Sequence, residues 1–153
     1  MIVRHSAHLL SLFMALAPSL GRAEGPLASF EPTLAPEMAA AIRSADLEAG
    51  ARYFERKCSQ CHDGAKDGGN FKGPHLWNVF GRVAGTHAGF RYSDAMKAVG
   101  KPWSFTTLDY YLSDTERAVP GREMNFAGIT NPAERANLLA YLSTLADTPP
   151  PPP

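Results

Sequence analysis

Cys58 and Cys61 are the only cysteines in the 153-residue chain, and in KCSQCHDG they lie three apart with His62 directly after the second. Two thiols and an imidazole so arranged could ligate zinc, exchange disulfides, close a structural disulfide or take a haem through two thioethers. Zinc asks for a second ligand pair at short spacing, but no second C-x-x-C exists and His75 and His87 lie 12 residues apart. Thiol oxidoreductases place the motif where a strand runs into a helix, and no strand pattern precedes Cys58. The reading the pattern favours is covalent haem. The spacing sets both sulfurs along one edge of the macrocycle, and His62 becomes the proximal ligand of a single iron.

An iron held on one face by His62 leaves a sixth position to fill. Outside the leader, Met38, Met96, Met124, His75, His87 and the lysines are available. Met124 stands in VPGREMNFAGI, between two helical patterns, where a loop can fold back over the metal. Met96 falls in a helical pattern that favours a core role. Met38 belongs to an N-terminal segment, and the two histidines to a loop. Met124 is therefore the expected ligand.

Helices must carry this set, since the apolar period is helical and no alternating pattern is present. Asp46 is a candidate N-cap, with Leu47, Gly50, Ala51 and Phe54 on the face of a helix that ends at Cys58. SDAMKAV (93–99) reads as a short helix capped by Ser93. TTLDYYLSD places Leu108, Tyr111 and Leu112 together. The last helix starts at Asn131 with Pro132 at its first position, and Leu138, Tyr141, Leu142 and Leu145 are expected on its buried side. Glycine-rich loops join these elements, above all 63–92. Loops that long, in a chain with few apolar runs, suggest a centre filled by something other than protein.

The chain organises into a leader (1–23), an extension (24–45), a compact domain (46–146) and a proline-rich tail (147–153). MIVRHSAH, the apolar LLSLFMALAPSL and the small residues of GRA form the three parts of an export signal, with cleavage expected after about Ala23. Its 12-residue apolar run is short of the ~20 a membrane span needs. The extension, with Pro26, Pro32 and Pro36, reads as a linker or strap with a helical turn near EMAAAIR, and the tail as extended and mobile. Formal charge is zero, with 15 basic and 15 acidic residues. Loss of Arg4 and Arg22 with the leader makes the remainder slightly acidic, which argues against nucleic acid as a partner.

Together GARYFERKCSQCH, GPHLWNVFGRVAG, GFRYSDAM, WSFTTLDYYL, PGREMNFAGI and LLAYL resemble class I monohaem cytochrome c, the mitochondrial-like type also found in bacterial periplasms. The resemblance spans about Asp46 to Ala146. It implies a small all-α fold of helices and long loops wrapped around one covalent haem c, with the first and last helices of the domain crossing near Gly50 and Tyr141. It implies that the Pro74 carbonyl holds His62, and that Arg82, Tyr92 and Trp103 hold or neutralise the haem propionates. Tyr111 is then the tyrosine near the methionine sulfur, and Phe126 the aromatic near the exposed haem edge.

The resemblance further implies a soluble, monomeric periplasmic carrier of single electrons, not an enzyme. Its partners would be transient: quinol–cytochrome c reductase, a terminal oxidase, a photosynthetic centre or a periplasmic dehydrogenase. The rivals are a haem enzyme or gas-binding protein with a labile Met124, and a structural subunit that stays in one complex. Some positions depart from the family pattern. Arg122 stands where a threonine is common, Met96 replaces an asparagine, and Glu116, Arg117 and Glu123 mix signs where lysines are frequent. Arg52, Arg56, Lys57, Arg117 and Arg122 remain as a candidate docking cluster.

A domain of about 100 residues with few aliphatic clusters should need its cofactor as core. The Cys58→Ala/Cys61→Ala double variant is expected to be mostly unfolded, as checked by far-ultraviolet circular dichroism; native-like helicity without haem would contradict the reading.

Overall fold

Asp46 does what its position suggests. Its carboxylate accepts from the Ala49 amide at 2.9 Å, supplying one of the partners a helix start lacks. In the computed structural model, which describes residues 24–153, this cap opens the helix Leu47–Lys57. The predicted export signal, residues 1–23, lies outside the described residues. In chain order the helices are α1 (Pro36–Arg43), α2 (Leu47–Lys57), α3 (Asp94–Lys97), α4 (Phe105–Ser113), α5 (Thr115–Ala118) and α6 (Pro132–Thr144). Among the described residues the only β pairing is an isolated bridge between Val83 and Pro102. The fold is all-α, with long loops.

Local chemistry explains where the other helices begin. Ser93 accepts from the Met96 amide at the start of α3, and Asn131 accepts from Ala133 and Glu134 at the start of α6, with Pro132 at the first position. Ser104 and Thr107 bond reciprocally at the start of α4, satisfying two otherwise unpaired amides. The one-turn α5 has no apolar period to announce it; Asp114 caps it through the Arg117 amide.

The main helix contact is the crossing of α2 and α6. A Cβ added to Gly50 would lie 2.2 Å from the Asn137 carbonyl oxygen and 2.7 Å from the Tyr141 Cβ, so only glycine admits this approach. The buried side of α6 is Ala136, Leu138, Leu139, Ala140 and Leu142. Tyr141 and Leu145, expected there, are only partly covered, Tyr141 stacking on Phe54 with ring centroids 5.6 Å apart.

Both flanking segments pack on this frame. Leu27 is fully buried, Phe30 lies 5.0 Å from the Tyr110 ring, and the Tyr110 hydroxyl donates to the Gly25 carbonyl at 2.7 Å. The helical turn expected near EMAAAIR is the two-turn α1, which buries Met38 and Ile42 and contacts α6. The tail, expected to be mobile, is tied at both ends. Asp147 meets Lys66, Asn78 and Trp77, and Arg43 donates to the Pro153 carbonyl. Those donors hold the Asp147 carboxyl down at about 2, the Lys66 ammonium first among them.

Gly50→Ala is expected to cost at least about 3 kcal/mol, the upper part of the usual range for overpacking, because the obstruction is backbone. Denaturant unfolding of the holoprotein would measure it.

Candidate functional site

Cys58 is the C-cap of α2, and the chain then tightens into turns in which the amides of Cys61 and His62 both bond the Cys58 carbonyl, at 3.0 and 2.9 Å. The helix thus ends by presenting two thiols and an imidazole within one turn. Neither cysteine forms a disulfide, and both are half-buried. Burial, with Cys61 as the lesser influence, pushes the Cys58 thiol up to about 12. Burial of this kind disfavours the thiolate. A neutral thioether suits such a site well. Among the described residues no three His, Cys, Asp or Glu side chains converge in a metal-holding group.

The imidazole is oriented from behind. Its Nδ1 lies 2.8 Å from the Pro74 carbonyl, which can only accept, so the proton sits on Nδ1 and Nε2 carries a lone pair. Burial lowers the pKa of His62, outweighing the Pro74 bond that raises it, and Arg82 lowers it further; the ring is neutral, as a metal ligand must be. Gly73 makes room for this. A Cβ there would lie 2.4 to 2.8 Å from three atoms of the ring. Sequence reasoning named Pro74 but not Gly73, although the Gly-Pro pair was the available signal.

Arg82 is partly buried and fixed on both sides. Its Nη2 donates to the His75 carbonyl at 2.7 Å and its Nη1 to His87 Nδ1 at 2.6 Å. Tyr92 is half-buried and electrostatically coupled to it. His75 is buried, with Nε2 donating to the Ala65 carbonyl at 2.6 Å, and its ring lies 5.8 Å from that of His87. Both histidines are thus committed to the loop. The two-histidine brace around Arg82 had no sequence signal, since it depends on how 63–92 folds.

The opposite wall comes from α4 and the segment after α5. Trp103 is buried and stacks on Tyr111 with centroids 5.2 Å apart. The Tyr111 hydroxyl points at Met124 Sδ, 3.7 Å away, and burial raises its pKa. Residues 121–127 alternate in exposure, with Arg122, Met124 and Phe126 partly covered and Gly121, Glu123, Asn125 and Ala127 exposed. The chain bends at Glu123 and the Phe126 amide bonds the Met124 carbonyl at 2.9 Å; Met124 and Phe126 both pack against the core. The segment is pinned: Thr115 bonds the Phe126 carbonyl, the Ile129 amide bonds Leu112 at 2.7 Å, and Arg135 joins the Ile129 carbonyl to Asp109, at 2.6 Å each. Met38 and Met96 lie elsewhere, one buried on α1 and the other partly covered on α3.

The residues present fit a covalent haem. They supply two half-buried thiols, a lone-pair imidazole nitrogen, a thioether on a pinned segment packed against the core and, at Arg122 Nε, a buried donor with no acceptor. Three of the five candidate docking cations have carboxylate partners within the chain. Arg117 pairs with Glu24 and stacks 4.5 Å over Tyr110, Arg122 pairs with Glu116, and Arg52 with Asp46 and Glu48.

Residues 47–146 match the family model described as Cytochrome c. The chain belongs to the cytochrome c family. It is 48% identical over 97 residues to "Cytochrome c" of Chlamydomonas reinhardtii, an alignment covering 63% of this chain and 87% of that protein. It is 42% identical over 97 residues to "Cytochrome c" of Gossypium barbadense, with the same coverage of 63% and 87%. "Cytochrome c-type cyt cy" of Rhodobacter capsulatus is 43% identical over 109 residues, which is 71% of this chain and 54% of that protein. This cytochrome c carries covalently attached haem, and its Cys58 and Cys61 have the spacing of the C-x-x-C-H attachment motif. It is an electron-transfer protein rather than an enzyme.

Gly73→Ala isolates the support of the imidazole, since Gly73 has no positive φ and only the space beside His62 is at stake. The variant is expected to lose about 1–3 kcal/mol in denaturant unfolding, the range for an added methyl in a packed site. Proton NMR of the His62 ring should move with it.

Proposed function

We propose that this cytochrome c carries single electrons with an iron held between His62 Nε2 and Met124 Sδ, in the periplasm. The observation that carries the ligand assignment is the pairing of the Nδ1-bound imidazole with a core-packed Met124 fixed by Tyr111 and its pinned segment. When bound, the haem supplies an iron that cycles between two oxidation states. The protein's part is to keep its surroundings unchanged during that cycle. His62 is held by Pro74 and Met124 by the anchors of its segment, so neither has to move. A soft thioether, a neutral imidazole and a buried aromatic wall of Trp103 and Tyr111 disfavour the extra positive charge of the oxidised metal, which raises the potential. Arg82, Tyr92 and Trp103 would serve the propionates, and Phe126 would stand by the edge through which electrons pass.

Location and partners follow from the leader and the family. The three-part pattern of residues 1–23 supports export, which would place the thiols where a c-type haem is joined to them. The relative from Rhodobacter capsulatus supports a bacterial setting. The partners are membrane redox complexes, a quinol–cytochrome c reductase, a terminal oxidase or photosynthetic centre, or a periplasmic dehydrogenase, met transiently. With Arg117 and Arg122 internally paired, charge steering of these encounters rests on fewer groups than the sequence offers, Arg56 and Lys57 among them.

A redox titration with visible and near-infrared spectra tests the ligand pair. The reduced native protein should take up carbon monoxide slowly or not at all, whereas Met124→Ala should bind it readily and show a midpoint lower by at least a tenfold change in the reduction equilibrium, about 59 mV. Ready binding by the unaltered protein would point to an open site and overturn the reading.

A further inference from the structure

The extension ahead of α2 is tied to the domain at one place more firmly than a linker requires. Its first turn closes on Pro26, whose carbonyl accepts from the amides of Ser29 and Phe30 at 3.0 and 2.9 Å, and within that turn Leu27 is fully buried. The anchors of the turn land on α4 and α5. The Leu27 amide donates to the Ala118 carbonyl at 2.8 Å, the Tyr110 hydroxyl donates to the Gly25 carbonyl at 2.7 Å, and Glu24 pairs with Arg117. Tyr110 also meets the Phe30 ring, with centroids 5.0 Å apart, and the Arg117 guanidinium, 4.5 Å over its own ring. Residues 24–30 precede the matched family region, 47–146, so these contacts are additional to it.

What they hold is the helix next to the methionine. α5 is one turn long and, among the helices, packs only against α4. A helix that short has little stability of its own. Its first residue, Thr115, is fully buried and bonds the segment that carries Met124: the amide donates to the Ala127 carbonyl at 3.2 Å and the hydroxyl to the Phe126 carbonyl. Beyond its last turn, the Arg122 amide donates to the Val119 carbonyl at 3.1 Å. The extension therefore grips α5 at Arg117 and Ala118, and the methionine segment is bonded to Thr115 and Val119 on either side of Met124. The later part of the extension acts elsewhere, since α1 packs on α6.

We propose that Leu27 and Tyr110 are positioning residues for the sixth iron ligand, the turn at 24–30 acting as a clamp on α5 that keeps the Met124 segment closed. The proposal rests on Met124 as that ligand, and adds to it a device outside the matched domain. A thioether leaves a metal when its segment opens locally, and an external ligand then binds in proportion to the open fraction. The clamp lowers that fraction by fixing the short helix to which the segment is bonded. A small open fraction keeps the ligand in place through the redox cycle and keeps competitors out.

The test is imidazole binding to the oxidised holoprotein, followed by visible absorption, for the unaltered chain and for Leu27→Ala, Tyr110→Phe and Ile42→Ala. Amide hydrogen exchange at Arg122 and Phe126, measured by NMR on the same proteins, reports opening of the segment directly. Leu27→Ala should strengthen imidazole binding by about tenfold and speed both amides by a similar factor. Tyr110→Phe, which keeps the ring and loses only the bond to Gly25, should move both in the same direction by less. Ile42→Ala shortens a buried side chain of the same size on α1. It should lower stability in denaturant, yet leave imidazole binding and the two amides within about twofold. A change below about twofold in Leu27→Ala, or an equal change in Ile42→Ala, would overturn the proposal. Should Leu27→Ala fail to assemble, Tyr110→Phe decides, and unchanged binding and exchange there would overturn it. Tight imidazole binding by the unaltered protein would overturn the ligand reading and the proposal with it, whereas the other outcomes leave that reading intact.

Discussion

Everything that positions chemistry in this protein is referred to the close crossing of α2 and α6. The absence of a side chain at Gly50 lets the backbone of one helix sit against the Asn137 carbonyl of the other. Because α2 ends at Cys58, the thiols and His62 inherit their place from that contact. α6 in turn packs against α4, which bears Tyr111 and so fixes what faces Met124. A single steric condition near one end of the domain is thereby transmitted to both walls of the site through rigid helices.

The two walls are built on different principles. On the imidazole side, loop backbone does the work: a carbonyl orients the ring, a missing Cβ gives it room, and two histidines brace Arg82. On the methionine side, the chain turns, the Phe126 amide bonding the Met124 carbonyl, and Met124 and Phe126 pack against the core. Its anchors are charged or hydroxyl side chains from neighbouring helices, notably Arg135 and Thr115. The division would suit the proposed ligands. An imidazole needs its plane set by a second hydrogen bond, whereas a thioether needs only to be brought near and kept dry.

Much of this was legible in the residues, and unevenly so. The caps at Asp46, Ser93 and Asn131 were readable because capping is a short-range matter of a side chain and the amides just beyond it. The all-α class and the cysteine spacing were likewise local signals. What escaped was decided at long range. Leu139 is fully buried and Tyr141 only partly, since the face of α6 is chosen jointly by α1, α2 and α4. Arg117 and Arg122 looked like surface charge, yet each is held by a partner that only the folded chain brings near in the right orientation. The one-turn α5 and the Arg82–His87 contact have no pattern in the sequence at all.

The proline run at the end of the chain has a mechanical side. Each proline has its φ set by the ring, so five in succession behave as a stiff rod of about 3 Å per residue rather than a string. Pinned by Asp147 to the loop bearing Lys66, Trp77 and Asn78, and through the Pro153 carbonyl to Arg43 of α1, the rod is a strut between two outlying parts of the surface. A flexible tether of the same length would let those parts drift independently, while a strut makes the displacement of either one a load on the other.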